Sequence, residues 1–258
     1  MKLKFLGTCG GRYAMGQQKR QSGGIILESE ETQIHIDPGP GALVQAHQHE
    51  VAEDTEAVLV SHGHVDHSND AEALSEMMVE AYNHAGFLMA SESVLSGFGD
   101  IEKRVSDYHQ NLCGKVKKLG EDSEVEFKDL KIRTQEMFHS DPKTVGFTVD
   151  DGDKEFGFWT DTEYSDELVG FYEGCDTLVV YCSRPKNEGT RSHTSLDDIP
   201  EITEKLDVSK VVVTHFGFRF LESDLEAQKN WLEEQIEPGV VFADDGMDYP
   251  GNRKLDAF

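Results

Sequence analysis

Ser61-His62-Gly63-His64-Val65-Asp66-His67 sets four potential metal ligands within six positions, directly after the apolar run Ala57–Val60. Neutral imidazole nitrogens and carboxylates are good ligands for zinc and related divalent ions. A compact turn at a strand end can aim His62 and His64 at one point while Asp66 and His67 face another. Gly63 permits the tight turn because it has no side chain to clash. Three further residues stand where they could complete such a centre: His139 after Lys131–Phe138, Asp161 after Phe156–Thr160, and His215 after Val211–Thr214. Each is a ligand type at the C-terminal end of a strand, where open α/β architectures gather their sites. A single strand-end histidine is ordinarily a hydrogen-bonded structural residue. Three such residues together with the loop motif point to a metal centre.

The elements that must hold these residues read as short apolar or alternating strands: Lys2–Leu6, Gly24–Glu28, Gln33–Ile36, Ala57–Val60, Gly86–Ala90, Glu124–Glu136, Val145–Val149, Glu155–Thr160, Thr177–Tyr181, Lys210–Thr214 and Val240–Ala243. Helix-like segments lie between some of them, at Gly41–His49, Ala71–Tyr82, Leu196–Leu206 and Leu221–Gln235. Leu74, Met77, Met78 and Ala81 recur at helical spacing, and Ser68, Asn69 or Asp70 can cap that helix. Strands and interleaved helices make an α/β protein, layered with helices outside two sheets. No Pro/Ser-rich linker, repeat or low-complexity run divides residues 1–258, which reads as a single domain.

A chain of 258 residues buries roughly 70–75% of its unfolded surface, so a sizeable core is available. Fifty acidic against 24 basic residues give a net charge of −26, which repels nucleic-acid phosphate and offers no basic face to a membrane. No uninterrupted apolar run is long enough to span a bilayer, and Met1–Gly7 is too short for a signal peptide, so the expected location is the cytoplasm. Cys9, Cys113, Cys175 and Cys182 are scattered, which suits free thiols better than a disulfide framework or zinc knuckle. The acidic patches Glu50–Asp54 and Asp150–Asp153 lack the spacing of a calcium loop and read as solvated turns.

On His62, His64, Asp66 and His67, on Asp37 in Ile34-His35-Ile36-Asp37-Pro38-Gly39, and on the later His139, Asp161 and His215, the chain resembles the metallo-β-lactamase superfamily of metal-dependent hydrolases, over about residues 1–246. The resemblance implies a four-layered αββα sandwich with a dinuclear centre at one edge. It implies a first metal on His62, His64 and His139, a second on Asp66, His67 and His215, Asp161 bridging both, and Asp37 bracing the ligand loop without ligating. Asp66 thereby belongs to the catalytic centre. Two divalent ions about 3.5–4 Å apart can hold a bridging hydroxide as nucleophile. Zinc is the expected metal, with manganese or iron as alternatives.

Met1–Thr8 followed by Gly10-Gly11, Asp37-Pro38-Gly39-Pro40-Gly41, Thr160-Asp161-Thr162 and Thr214-His215-Phe216 look most like the phosphodiesterase-type branch, which includes tRNase Z and cyclic-phosphate diesterases. Ser192-His193-Thr194-Ser195 resembles the His-Ser-Thr loop of tRNase Z, which makes His193 the candidate general acid. Two features depart from tRNase Z. His139 and Asp161 are only 22 residues apart, with no room for the tRNA-binding arm, and no glutamate occurs in Tyr181–Arg184 to partner the loop histidine. Arg184, Lys186 and Arg191 precede His193, and Arg219 follows His215; Arg184 and Arg219 are the candidates for contacting an anionic substrate, against the alternative of salt bridges to the abundant carboxylates. His35, His47, His49, His84 and His109 join no motif.

The expected activity is hydrolysis of a small or single-stranded phosphodiester. The alternatives are a thioester or lactone hydrolase of the same superfamily and an armless RNase Z-like nuclease. A di-iron redox protein would replace the second loop histidine by glutamate, and His64 argues against it. Long nucleic acids and membranes are not expected partners; a homodimer is, since dimers are common in this branch. The bulk acidity suits solvation in a salt-rich cytoplasm of the archaeal kind, where a short Debye length screens self-repulsion.

Overall fold

The computed structural model describes residues 1–79 and 85–251. In chain order its strands are β1 (Lys2–Phe5), β2 (Ile25–Glu28), β3 (Gln33–Ile36), β4 (Ala57–Val60), β5 (Phe87–Ser91), β6 (Lys115–Leu119), β7 (Glu124–Phe127), β8 (Leu130–Glu136), β9 (Val145–Asp150), β10 (Glu155–Trp159), β11 (Thr177–Arg184), β12 (Thr194–Ser195), β13 (Lys210–Thr214), β14 (Gly239–Phe242) and β15 (Met247–Tyr249). One sheet runs β15-β1-β2-β3-β4-β5-β6, the other β14-β13-β11-β10-β9-β8-β7, with β12 paired to β11.

Side-chain alternation decides which residues meet. Ile34 and Ile36 of β3 face the second sheet and join Phe5, Leu59 and Phe87 against Ile132, Phe147, Phe158 and Val179. Phe147 and Phe158 stand opposite each other on β9 and β10 with ring centroids 4.6 Å apart, so trimming either to Ala should cost about 3–5 kcal/mol. Val58, Val60, Leu88 and Ala90 face outward onto Ala71, Leu74 and Val94 of the helices Ala71–Met77 and Glu92–Ser96. On the far side, Val180, Val211 and Val213 lie under Ile199, Ile202 and Leu232 of the helices Asp198–Thr203 and Leu225–Gln235. Strands β4 and β11 are therefore covered on both faces, which is why they read as continuous apolar runs rather than alternating ones. The result is a mixed α/β sandwich of four layers, as expected. The four cysteines are free and buried.

Several elements differ from expectation. Glu124–Glu136 is a hairpin, β7 and β8, turning at Lys128, whose φ of 53° is left-handed without the usual Gly or Asn. Strand β6 was hidden because lysines dominate it, as is common at a sheet edge. The segment Leu221–Gln235 is two helices, Phe218–Glu222 and Leu225–Gln235, because Asp224 starts the second by accepting from Ala227 N–H at 3.1 Å. A further helical turn, Val65–Ser68, precedes Ala71–Met77. Asp70 sits at the N-cap of the latter but accepts from Leu43 N–H instead of its own helix. Ala81, Tyr82 and His84 lie outside the described residues.

Candidate metal centre

Strands β3, β4 and β5 are parallel neighbours, and so are β10, β11 and β13; two antiparallel steps through β9 bring β8 into line with β10. Their C-terminal ends consequently open at one edge of the sandwich. Asp37 follows β3, His62–His67 follow β4, His139 lies beyond β8, Asp161 beyond β10 and His215 after β13. The seven expected ligands gather there in two groups: His62, His64, His139 and Asp161, and Asp66, His67 and His215, with the ligand atoms of each group within 4.8 Å of one another.

In the first group His64 Nδ1 lies 3.0 Å from His62 Nε2 and 3.1 Å from His139 Nε2. Nitrogens bound to one tetrahedral zinc would be about 3.3 Å apart. Outer hydrogen bonds assign which nitrogen faces inward. His139 Nδ1 donates to the Ser192 carbonyl at 2.6 Å, leaving a lone pair on Nε2. His62 Nδ1 donates to Ser61 Oγ at 3.0 Å, since that hydroxyl spends its own proton on Asp37 at 2.9 Å. Burial lowers His62, His64 and His139, the last to about 4, which keeps all three in the neutral form that ligates.

In the second group His67 Nε2 meets His215 Nε2 at 2.9 Å, and His215 Nε2 is 3.3 Å from Asp66 Oδ2. Burial alone would lower His67, but Asp66 and Asp37 outweigh it and raise it well above its ordinary value. Asp161 reaches both groups: Oδ2 lies 3.8 Å from His62 Nε2 and 3.5 Å from His67 Nε2, and Oδ1 lies 3.2 Å from His215 Nδ1. That last contact lacks hydrogen-bond geometry, so Asp161 Oδ1 and His215 Nδ1 are buried without a partner among the described residues. Buried orphan acceptors, inward lone pairs and two nearly inaccessible carboxylates are what a divalent cation satisfies. The donor set fits divalent metal ions.

Asp37 ligates nothing and braces much: it accepts from Ser61 N–H at 2.7 Å, His67 Nδ1 at 3.1 Å and Tyr181 OH at 3.1 Å. Asp37 and His215 adopt left-handed φ of 49° and 62°, a conformation that Asp and His reach more readily than most side chains. Gly10 makes room for the second group. Its φ is ordinary, but a Cβ there would overlap the His215 ring.

His193 packs edge-on to His139 at 4.9 Å between ring centroids, with Nδ1 buried 3.8 Å from Asp161 Oδ1. Burial alone would lower His193; the Asp161 charge outweighs it and raises it. Arg184 is half-buried within charge range of His193 and has no carboxylate partner among the described residues. Arg219 lies apart from this arrangement: it is 66% exposed and bonded to Glu188 at 3.0 Å. Lys186 rests over the Trp231 ring. Of the histidines outside the motifs, His35 is in the core, His109 pairs with Glu72 and His47 is exposed. Sequence reasoning assigned no role to Ser61, Tyr181, Asp141 and Arg104, which touch the ligands or their loop. The positional hints available were that Ser61 adjoins His62 and that Asp141 stands two residues beyond His139.

Residues 32–216 match the family described as the beta-lactamase superfamily domain. The chain belongs to the metallo-β-lactamase superfamily, near its tRNase Z branch. It is 30% identical to an uncharacterized protein of Methanocaldococcus jannaschii over 232 residues, 88% of this chain and 87% of the relative. It is also 30% identical to Ribonuclease Z of Methanopyrus kandleri, covering 95% of this chain and 96% of the relative. Among solved structures it is similar to the metallo-beta-lactamase fold protein YhfI from Bacillus subtilis, with a TM-score of 0.78 at 18% identity, covering 96% of this chain and 98% of that one.

Proposed function

We propose that the protein is a dinuclear metal-dependent phosphodiesterase acting on a compact phosphodiester. His62, His64, His139 and Asp161 would hold one ion, and Asp66, His67 and His215 the other. When bound, two such ions supply an activated water and neutralise charge on the attacking and leaving oxygens. The observation that carries the reading is the pair His193 and Arg184 beside that centre. A phosphodiester brings a negative charge and releases an alkoxide; Arg184, half-buried and without a carboxylate partner among the described residues, is the cation offered to the first, and His193 offers a proton to the second. His193 Nδ1 is buried 3.8 Å from Asp161 Oδ1, which leaves Nε2 as the nitrogen to protonate a leaving group. A thioester releases a thiolate, which needs no proton donor of this kind, and a neutral lactone needs no anion anchor.

The likeness to Ribonuclease Z of Methanopyrus kandleri supports phosphodiester chemistry. The substrate is compact because residues 139 to 161 hold little more than the β9–β10 hairpin, and because a net charge of −26 disfavours a long polyanion. The test is hydrolysis of bis-p-nitrophenyl phosphate, a thioester and a lactone, with and without chelator. Chelator-sensitive cleavage of the phosphodiester is expected; turnover of the thioester or lactone alone would refute the proposal.

A further inference from the structure

Gly63, between His62 and His64, is held by both of its backbone polar atoms. Gly63 N–H donates to Asp141 Oδ2 at 2.8 Å, and Arg104 Nε donates to the Gly63 carbonyl at 2.6 Å. Asp141 is completely buried, and its carboxylate also accepts from Ser93 Oγ at 2.5 Å and from Lys143 N–H at 2.9 Å. Three donors thus converge on one buried carboxylate, an arrangement that is costly to disturb. Gly63 itself is pressed against the same wall: a Cβ would stand 2.7 Å from Ile101 Cγ2 and 3.4 Å from Asp141 Oδ2.

Asp141 joins parts of the molecule that are far apart in sequence. It lies on the β8–β9 loop of the second sheet, two residues beyond His139, whereas Gly63 follows β4 and Ser93 follows β5 in the first sheet. One side chain therefore ties together the three loops that present or back His62, His64 and His139. The backbone bond from Val145 N–H to the Ser61 carbonyl, 3.1 Å, runs alongside it.

This tie bears on metal geometry through a specific lever. His62 offers Nε2 and His64 offers Nδ1, and the two atoms, carried on either side of Gly63 in the chain, converge to 3.0 Å. Releasing the Gly63 N–H or carbonyl lets the peptide that joins it to His62 or to His64 turn, which moves an imidazole out of that convergence. Asp37 does the corresponding work for the other group, where it bonds His67 directly. Asp141 touches no ligand side chain, and Asp66, His67 and His215 take their hydrogen bonds from Gly11, Asp37 and one another.

We infer that Asp141, with Arg104 on the Gly63 carbonyl, is a positioning residue for one half of the centre alone, the half made by His62, His64 and His139. This rests on the reading of the two groups as separate metal sites.

Zinc titration of the metal-free protein against a chromophoric chelator tests it. Wild type should take up two ions. Asp141→Asn keeps the size but cannot accept from all three donors, since its amide must face either Gly63 N–H or Lys143 N–H. It should weaken one ion about 10–100-fold and leave the other unchanged, the usual scale for residues that orient ligands. Which ion is affected is read from double variants. In a His215→Ala background the remaining ion should weaken on adding Asp141→Asn, and in a His64→Ala background it should not. Arg104→Met releases the other side of the peptide without altering a buried carboxylate, and should show the same selectivity if Asp141→Asn fails to fold. Equal weakening of both ions in either variant would make the role one of general packing and overturn the inference. So would unchanged binding in both variants. A wild type that takes up no metal would instead overturn the metal reading beneath it.

Discussion

The imidazoles of His67 and His215 meet nitrogen to nitrogen, Nε2 to Nε2 at 2.9 Å, deep in a loop cluster where both rings are buried. His67 Nδ1 already bonds Asp37, so two inward lone pairs can face one another only if a proton or a metal ion lies between. With Asp66, Asp37 and Asp161 all within 3.6 Å of His67 nitrogens, the pocket is electrostatically built for a cation. That half of the centre depends on charge, and the half around His62 on neutral imidazoles.

Asp161 is the carboxylate shared by the two halves, and removing its charge should be felt by both. Asp161→Asn should lower metal affinity on the order of a hundredfold and reduce phosphodiester turnover with it. Metal analysis after dialysis, beside an activity assay, checks this; full two-ion occupancy in the variant would rule out the bridging role.

His193 and Arg184 should affect turnover without affecting metal. His193→Ala should cost about 10²–10⁴ in kcat while metal content stays at the wild-type value. Loss of an ion instead would make His193 a ligand. Arg184→Met should raise KM for an anionic substrate about tenfold, the scale of one charge-assisted hydrogen bond. Arg219→Ala should leave both constants alone, because that guanidinium is exposed and already bonded to Glu188.

Gly10→Ala should act as a selective lesion of the second group. The added methyl overlaps the His215 ring, which must swing away, while Gly10 backbone geometry itself suits any residue. One ion should be retained and one lost, with little change in melting temperature of the metal-free protein. Retention of both would mean that the ring can shift and still ligate.

The residues that gather in the two clusters were legible because their types are improbable elsewhere: four candidate ligands in six positions, then single ones at strand ends. The two-sheet layering was legible from runs such as Val58–Val60 and Val211–Val213, whose burial on both faces needs helices outside. What holds the site in shape was not. Asp141 carries no sign of its role beyond its place two residues after His139, and its distant partners Gly63 and Ser93 lie 78 and 48 residues away in the chain. Arg219 shows the converse failure: proximity in sequence to His215 suggested a substrate contact, but the helix Phe218–Glu222 turns it to the surface.

His35 should make stability pH-dependent independently of the metals. It lies on β3, two residues before Asp37, fully buried on the outward side of the first sheet. Nε2 donates to the Gly23 carbonyl at 2.7 Å, and Nδ1 is buried with no partner among the described residues. Burial lowers it from 6.5 to about 4. A base whose folded value is depressed takes up its proton first in the unfolded chain, so folding loses ground as pH falls from 6.5 towards 4 and is unaffected above that window. At about 1.4 kcal/mol per pH unit the full drop is worth roughly 3 kcal/mol. Urea unfolding of the metal-free protein between pH 7.5 and 4.5 should therefore show a falling midpoint, and His35→Gln, which can still donate to Gly23, should flatten part of that slope. An identical slope in the variant would mean that His35 is protonated in the folded protein and that its Nδ1 finds an acceptor after all.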